Sequence, residues 1–185
     1  MTATLKNTHR TSFQPKLLVV NVEKPDAKEA ADRLNFKIDD KAKNETDSVI
    51  TGNSYLLRFE LDPGRYEIRG LTSLASSFPI IGYFFTPMHS PLEAKERGIF
   101  YLGHINATVR ERQGDEFKAG RTIPLIDQAI AGASTGTFDV AITDEFATDE
   151  ALFRSKFPAL EGVAIKKAIL PTFDRAKAQK WWEAN

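Results

Sequence analysis

Few residues in this chain combine the type and the spacing that chemistry requires. Gly132-Ala133-Ser134-Thr135-Gly136 has the G-x-S-x-G spacing of a nucleophile elbow, in which a serine attacks an acyl carbon after giving its proton to a histidine. That mechanism needs a strand before the serine, a helix after it and a histidine later in the chain. Here a strand is expected after the motif, at Phe138 to Ile142, and His9, His89 and His104 all precede Ser134. The expected reading is a flexible loop, with a serine hydrolase as a remote alternative.

Metal and cofactor chemistry are equally thin. The histidines are isolated, with no His-x-x-x-His pair and no carboxylate at ligand spacing. His104 is expected as a hydrogen-bonded residue where its strand passes from buried to wet. Asp139, Asp144, Asp149 and Glu150 could gather to hold Ca²⁺ through oxygens, but helix capping and solvation account for them more simply. Asp39-Asp40 and Glu45 to Asp47 lack the EF-hand pattern, and neither G-x-G-x-x-G nor a P-loop occurs. With no cysteine, disulfides, thiolate metal sites and cysteine nucleophiles are excluded. The expectation is therefore no catalytic residue, no metal and no cofactor.

Binding has a better candidate. Phe78 to Met88 (FPIIGYFFTPM) is almost wholly apolar, far shorter than the roughly 20 residues needed to cross a bilayer, and interrupted by Pro79 and Pro87. It predicts an edge strand or packed loop. It could fill the open end of a core, or stand exposed and bind a partner, lipid or sugar through Phe78, Ile80, Tyr83, Phe84, Phe85 and Met88. A carbohydrate platform has few other candidates: Trp181 and Trp182 are adjacent near the C-terminus, and Tyr101 is expected to face the core.

The elements that must position these residues are strands. Tyr55, Leu57, Phe59 and Leu61 alternate with Leu56, Arg58 and Glu60, and Tyr66 and Ile68 alternate with Arg65, Glu67 and Arg69. Between them Asp62-Pro63-Gly64-Arg65 suits a type II turn. A tight hairpin there would set Glu60 against Glu67 and Arg58 against Arg69, like charges directly opposed. An arch from one sheet to another avoids this. In Gly98 to Arg110, Ile99, Tyr101, Ile105 and Val109 share a face with Gly103 and Ala107, so the segment is expected to begin buried on both sides and end half-wet.

LDPGRYEI followed by RGIFYLGHI resembles the PG-x-Y … G-x-x-YLG-x-I pattern of a group of bacterial envelope lipoproteins, whose domains are similar to transthyretin-like or carboxypeptidase-regulatory-like sandwiches. The match spans about Leu56 to Val109. The resemblance implies an antiparallel sandwich and a periplasmic or outer-membrane-associated mature form whose leader and lipid-bearing cysteine have been removed. It carries no catalytic residues. Read alone, residues 1–15 lack the apolar segment of a leader, and the chain reads equally as cytoplasmic.

The 185 residues are ample for one core, and 25 Lys plus Arg against 25 Asp plus Glu argue against nucleic acid or an anionic membrane as partner. Along the chain, Met1 to Pro15 reads as a flexible tether, residues 16–172 as the sandwich and residues 173–185 as a helical tail. Strands are expected at Lys16 to Val22 (apolar on both faces and so buried), Leu34 to Asp39, Phe138 to Ile142 and Val163 to Leu170. Ser90-Pro91-Leu92-Glu93 matches a capping box and argues for a helix to Arg97, whereas the resemblance implies a strand there, hairpinned through Gly98 into the next one. Lys41 to Asp47 is expected as a charged loop and Ile123 to Ile130 as an apolar segment. A helix is expected between Asp144 and Leu160, with Phe146, Phe153, Phe157 and Leu160 on one face, and another over Asp174 to Asn185. The sum is a mainly β chain: an antiparallel, transthyretin-like or Ig-like β-sandwich with a helix before the last strand and one at the C-terminus. Its expected role is a non-catalytic envelope module that binds a protein or cell-wall component, or alternatively a small ligand or carbohydrate.

Overall fold

The computed structural model describes residues 1–48, 50–120 and 128–185. The strands are β1 (Thr2–Asn7), β2 (Lys16–Glu23), β3 (Arg33–Lys37), β4 (Lys43–Ser48), β5 (Gly52–Leu56) and β6 (Gly64–Ser77). They continue as β7 (Ile80–Ala94), β8 (Ile99–Tyr101), β9 (His104–Glu111), β10 (Gly136–Thr143) and β11 (Ile165–Lys167). Helix α1 (Phe146–Lys156) lies between β10 and β11, and α2 (Arg175–Glu183) follows β11. Among the described residues no helix is long and apolar enough to cross a membrane.

Period-two alternation gives each long strand an apolar face that must leave water, and two such sheets bury each other. One sheet has the order β10-β9-β1-β5-β4, the other β3-β2-β6-β7, and β8 pairs with β11 in a two-stranded ribbon. Most pairings are antiparallel; β1 with β9 and β8 with β11 are parallel. The inner faces meet in one core that includes Ala3, Leu5, Tyr55, Ile105, Val109 and Phe138 from the first sheet and Leu17, Val20, Ile68, Leu71, Phe84 and Met88 from the second. The chain is a mainly β sandwich with a helix before its last strand and one at its C-terminus.

The Pro-Gly segment is an arch, as the charge argument requires: β5 lies in the five-stranded sheet, β6 in the four-stranded one, and residues 57–63 cross between them. The type II turn does not form there, because Gly64 opens β6 without a left-handed φ. The YLG segment also changes sheet. Gly103, at φ 102, ends the β8 ribbon and lets β9 enter the five-stranded sheet, so Gly98 to Arg110 is two strands rather than one. Ser90 to Ala94 is strand, but it continues β7 against β6 and makes no hairpin with β8.

Two expectations are corrected. Residues 1–15 are not a free tether: β1 is the central strand of its sheet, between β5 and β9, and Met1, Ala3 and Leu5 are buried. Lys43 to Ser48 is not loop but a strand paired with β5. The helix expected at the C-terminus forms as α2 and is docked on the sandwich. Ala178 of α2 is fully buried, and Trp181 packs against Phe85 and His89 with ring centroids 5.3 and 4.9 Å away. Of the apolar segment expected at Ile123 to Ile130, residues 123–127 lie outside the described residues.

Candidate functional site

The six residues of the expected apolar surface do not form one surface. Phe78 sits at the tip of the β6–β7 hairpin, beside a cis bond to Pro79, and is 100% exposed; Tyr83 is 42% exposed. Phe84 and Met88 point into the core, Ile80 is half-buried against it, and Phe85 lies under Trp181. Alternation along β7 divides the set, since neighbouring side chains leave opposite faces.

The G-x-S-x-G loop does not gather a triad around Ser134. His9 places Nε2 2.9 Å from the neighbouring Thr135 Oγ1, and the segment after the loop is strand β10. Among the described residues no carboxylate hydrogen-bonds His9. The four acids considered for Ca²⁺ are dispersed: Asp139 pairs with Arg110 and Arg175, Asp144 with Lys167, Glu150 with Arg154, and Asp149 is buried. No group of acids or histidines that could hold a metal ion occurs among the described residues.

Around Asp149 the fold builds a polar cluster that the sequence does not announce. Thr2 and His104 are register partners on the parallel strands β1 and β9, Tyr101 ends β8, and Asp149 projects from α1. The Thr2 hydroxyl donates to Asp149 Oδ2, and so does the Tyr101 hydroxyl, at 2.5 Å. Because Thr2 gives its proton to Asp149, its Oγ1 accepts from His104 Nδ1 at 2.8 Å, and Thr4 donates to His104 Nε2 at 3.1 Å. This places the neutral histidine's proton on Nδ1, an assignment from the network. Burial pulls the Asp149 carboxyl up, but the nearby His104 imidazole and hydrogen bonds from Thr2 and Tyr101 outweigh it and hold it below the usual carboxylate value. Burial, reinforced by bonding to Asp149, pushes the Tyr101 phenol above its ordinary range. Thr2, Tyr101 and Asp149 are each at most 3% exposed, so their polar atoms fasten elements together and are closed to a substrate.

Beside this cluster lies a cleft of about 1350 Å³ at the end of the sandwich. One wall is the crossover after β5, with Leu57, Phe59 and Leu61; a second is the end of β7 and the start of β8, with Leu92 and Phe100. The third is α1 and the 3-10 turn after it, with Phe146, Phe153, Phe157 and Leu160. Charge sits on the rim and is largely paired within the protein: Arg58 with Asp39 at 2.8 Å, Lys95 with Glu93 at 3.3 Å, Lys166 with Glu96 at 2.6 Å. Cations also lie over the aromatic walls, with Arg58 4.0 Å from the Phe157 ring centre and Lys167 5.1 Å from that of Phe146.

Sequence reasoning identified Phe146, Phe153, Phe157 and Leu160 as one helical face but gave that face no partner. The signal available was a helical spacing of four apolar residues after a run of strands, with nothing in the sequence to show that they overhang an open sandwich end. No family model, no curated protein and no solved structure matches this chain.

Proposed function

We propose that this chain is a binding module whose cleft between the crossover after β5, the β7–β8 turn and α1 takes a small, mainly apolar molecule. The observation that carries the reading is the cleft itself. It exceeds the roughly 300–1,000 Å³ of ordinary small-molecule sites, and its depth is lined by leucine and phenylalanine while its charges stay on the rim. A ligand with a long or branched apolar body, ending in a polar group at the rim, matches that distribution. The likeness of PG-x-Y and YLG to envelope sandwiches supports a cell-envelope setting for this activity.

The test is a titration with the neutral dye N-phenylnaphthylamine, whose emission rises in apolar surroundings. Saturable binding of one dye per chain, lost in Leu61→Glu but kept in Tyr83→Ser, supports the reading. No saturable signal, or equal loss in both variants, overturns it.

A second reading, docking of a protein partner, draws on the hairpin tip, where Phe78, Ile81 and Tyr83 are 100%, 45% and 42% exposed. A photo-crosslinking residue at position 78 that captures one discrete envelope protein, and ceases to do so in Ile81→Ser, would favour it over the cleft.

A further inference from the structure

We infer that α1 and the turn after it form a hinged cover on the cleft, held shut by the Asp149 carboxylate, so that release of this one side chain controls ligand entry and exit. The inference rests on the cleft being a binding site and adds how that site is opened.

Three observations lead to it. First, the cleft walls are attached differently. The β7–β8 wall is rooted in strands that pair with β6 and β11, and the crossover is held at both ends by β5 and β6. The α1 wall lies outside every sheet. It contributes Phe146, Phe153, Phe157 and Leu160 to the cleft, and within α1 only Asp149 and Phe153 are buried. Its apolar anchorage is the contact of Phe146 with the Tyr101 ring, centroids 5.3 Å apart, and a small satellite cluster of Phe153 and Phe157 on Leu56, separate from the main core.

Second, the buried polar anchorage converges on one residue, with an exposed bond from Lys156 Nζ to the Lys43 carbonyl adding a tie to β4. Asp149 is the one buried carboxylate among the described residues, and it accepts from Thr2 on β1 and Tyr101 on β8, with His104 Nδ1 3.7 Å away. A leucine at this position of the helix would bury apolar surface without desolvating a charge. A carboxylate there instead concentrates the attachment in directional bonds that exist only when the helix is seated. Displacing α1 leaves those donors to water in a single step, a two-state arrangement.

Third, the segment has hinges. Residues Asp144 and Glu145 connect β10 to α1, and on the far side Gly162 holds φ 69 with no atom near the place where a Cβ would stand. A left-handed glycine in open space can change its backbone angles without a clash. The two ends allow α1 to swing as a unit while the sheets stay paired, once the bonds that bridge them, Arg154 to the Val163 carbonyl at 2.9 Å and Lys167 to Asp144 at 2.8 Å, are released.

Hydrogen exchange read by mass spectrometry, together with stopped-flow binding of N-phenylnaphthylamine, tests this on the full chain. In Asp149→Ala, amides of residues 147–156 are expected to exchange about tenfold faster or more while those of β6 keep their wild-type rates. Dye association and dissociation should both accelerate by a similar factor, with the dissociation constant moving far less. Thr2→Val and Tyr101→Phe each remove one donor to the same carboxylate and should give smaller changes in the same direction, which keeps the test decisive if Asp149→Ala folds poorly. Unchanged α1 exchange in all three variants, or α1 and β6 amides accelerating together, overturns the cover. Failure of the wild-type chain to bind dye removes the ligand reading alone, because the exchange measurement needs no ligand.

Discussion

The ring of Phe84 meets the ring of Phe138 edge to face, centroids 6.3 Å apart at 74°, across the gap between the two sheets. Phe84 comes from β7, an edge of the four-stranded sheet, and Phe138 from β10, an edge of the five-stranded one. Both are buried to within 1%. This pair closes the sandwich along the side where α2 also docks.

Truncating either ring leaves a cavity between two rigid sheets that cannot collapse to fill it. Phe84→Ala and Phe138→Ala are each expected to lose about 3–5 kcal/mol in denaturant unfolding. Because the two rings share one contact, the double variant should lose less than the sum of the singles. Additive losses would mean that the rings stabilise the fold independently.

A second tie between the sheets is polar. The register of β2 against β6 shifts between Leu17 and Val19, and the Leu17 amide donates instead to the Tyr55 hydroxyl at 2.9 Å. Tyr55 is 1% exposed. Tyr55→Phe keeps the ring and strands that amide, with an expected loss of about 1–3 kcal/mol, the cost of a buried unsatisfied donor. Unfolding midpoints in urea with an unchanged slope check it.

Acid should weaken the docking of α2. A hydrogen bond from His89, with help from Lys177, holds the Glu67 carboxyl at about 2 against the desolvation that opposes it. Arg110, then the Gln113 amide and then Arg175 do the same for Glu116, also at about 2. Lys177 and Arg175 belong to α2. Both folded values lie below the unfolded carboxylate value near 4.5, so the stabilisation is complete above about pH 4.5 and is lost as pH falls toward 2. Unfolding free energy measured across that window should drop, and Glu67→Gln or Glu116→Gln should flatten the drop while lowering stability at pH 7. A wild-type slope kept by both variants would contradict the assignment.

Much of the fold was legible because it rests on alternation that survives inspection residue by residue. Tyr66 and Ile68, and Ile105, Ala107 and Val109, face the core as their alternation requires. Lys16 to Val22, by contrast, is not buried on both sides, since Leu18 is exposed, and Ile99 is exposed where a covered segment is expected. The opposed charges of Glu60 with Glu67 and Arg58 with Arg69 were enough to choose an arch over a hairpin. Strand β1 was not legible, because Thr2, Thr4 and Lys6 read as polar linker. The outer side of Thr2 and Thr4 is covered by His104 and α1, which only the three-dimensional pairing supplies. Strand β4, with the sequence KNETDS, has no apolar rhythm at all and is held by its pairing with β5. The cleft escaped for a related reason: its walls come from three segments far apart in sequence, none unusual by itself. Asp149 looked like an ordinary residue in the first turns of a helix, where negative charge is favoured. Its burial depends on Thr2 and Tyr101 arriving from two other strands.

The cleft as a ligand site is the claim on which the functional account stands, and methyl NMR tests it most directly. With leucine and isoleucine methyls labelled, N-phenylnaphthylamine should shift the methyls of Leu57, Leu61, Leu92 and Leu160, which line the cleft, and leave those of Leu34 and Ile81 in place. Shifts centred on Ile81 at the hairpin, or spread evenly over all methyls, would contradict the account.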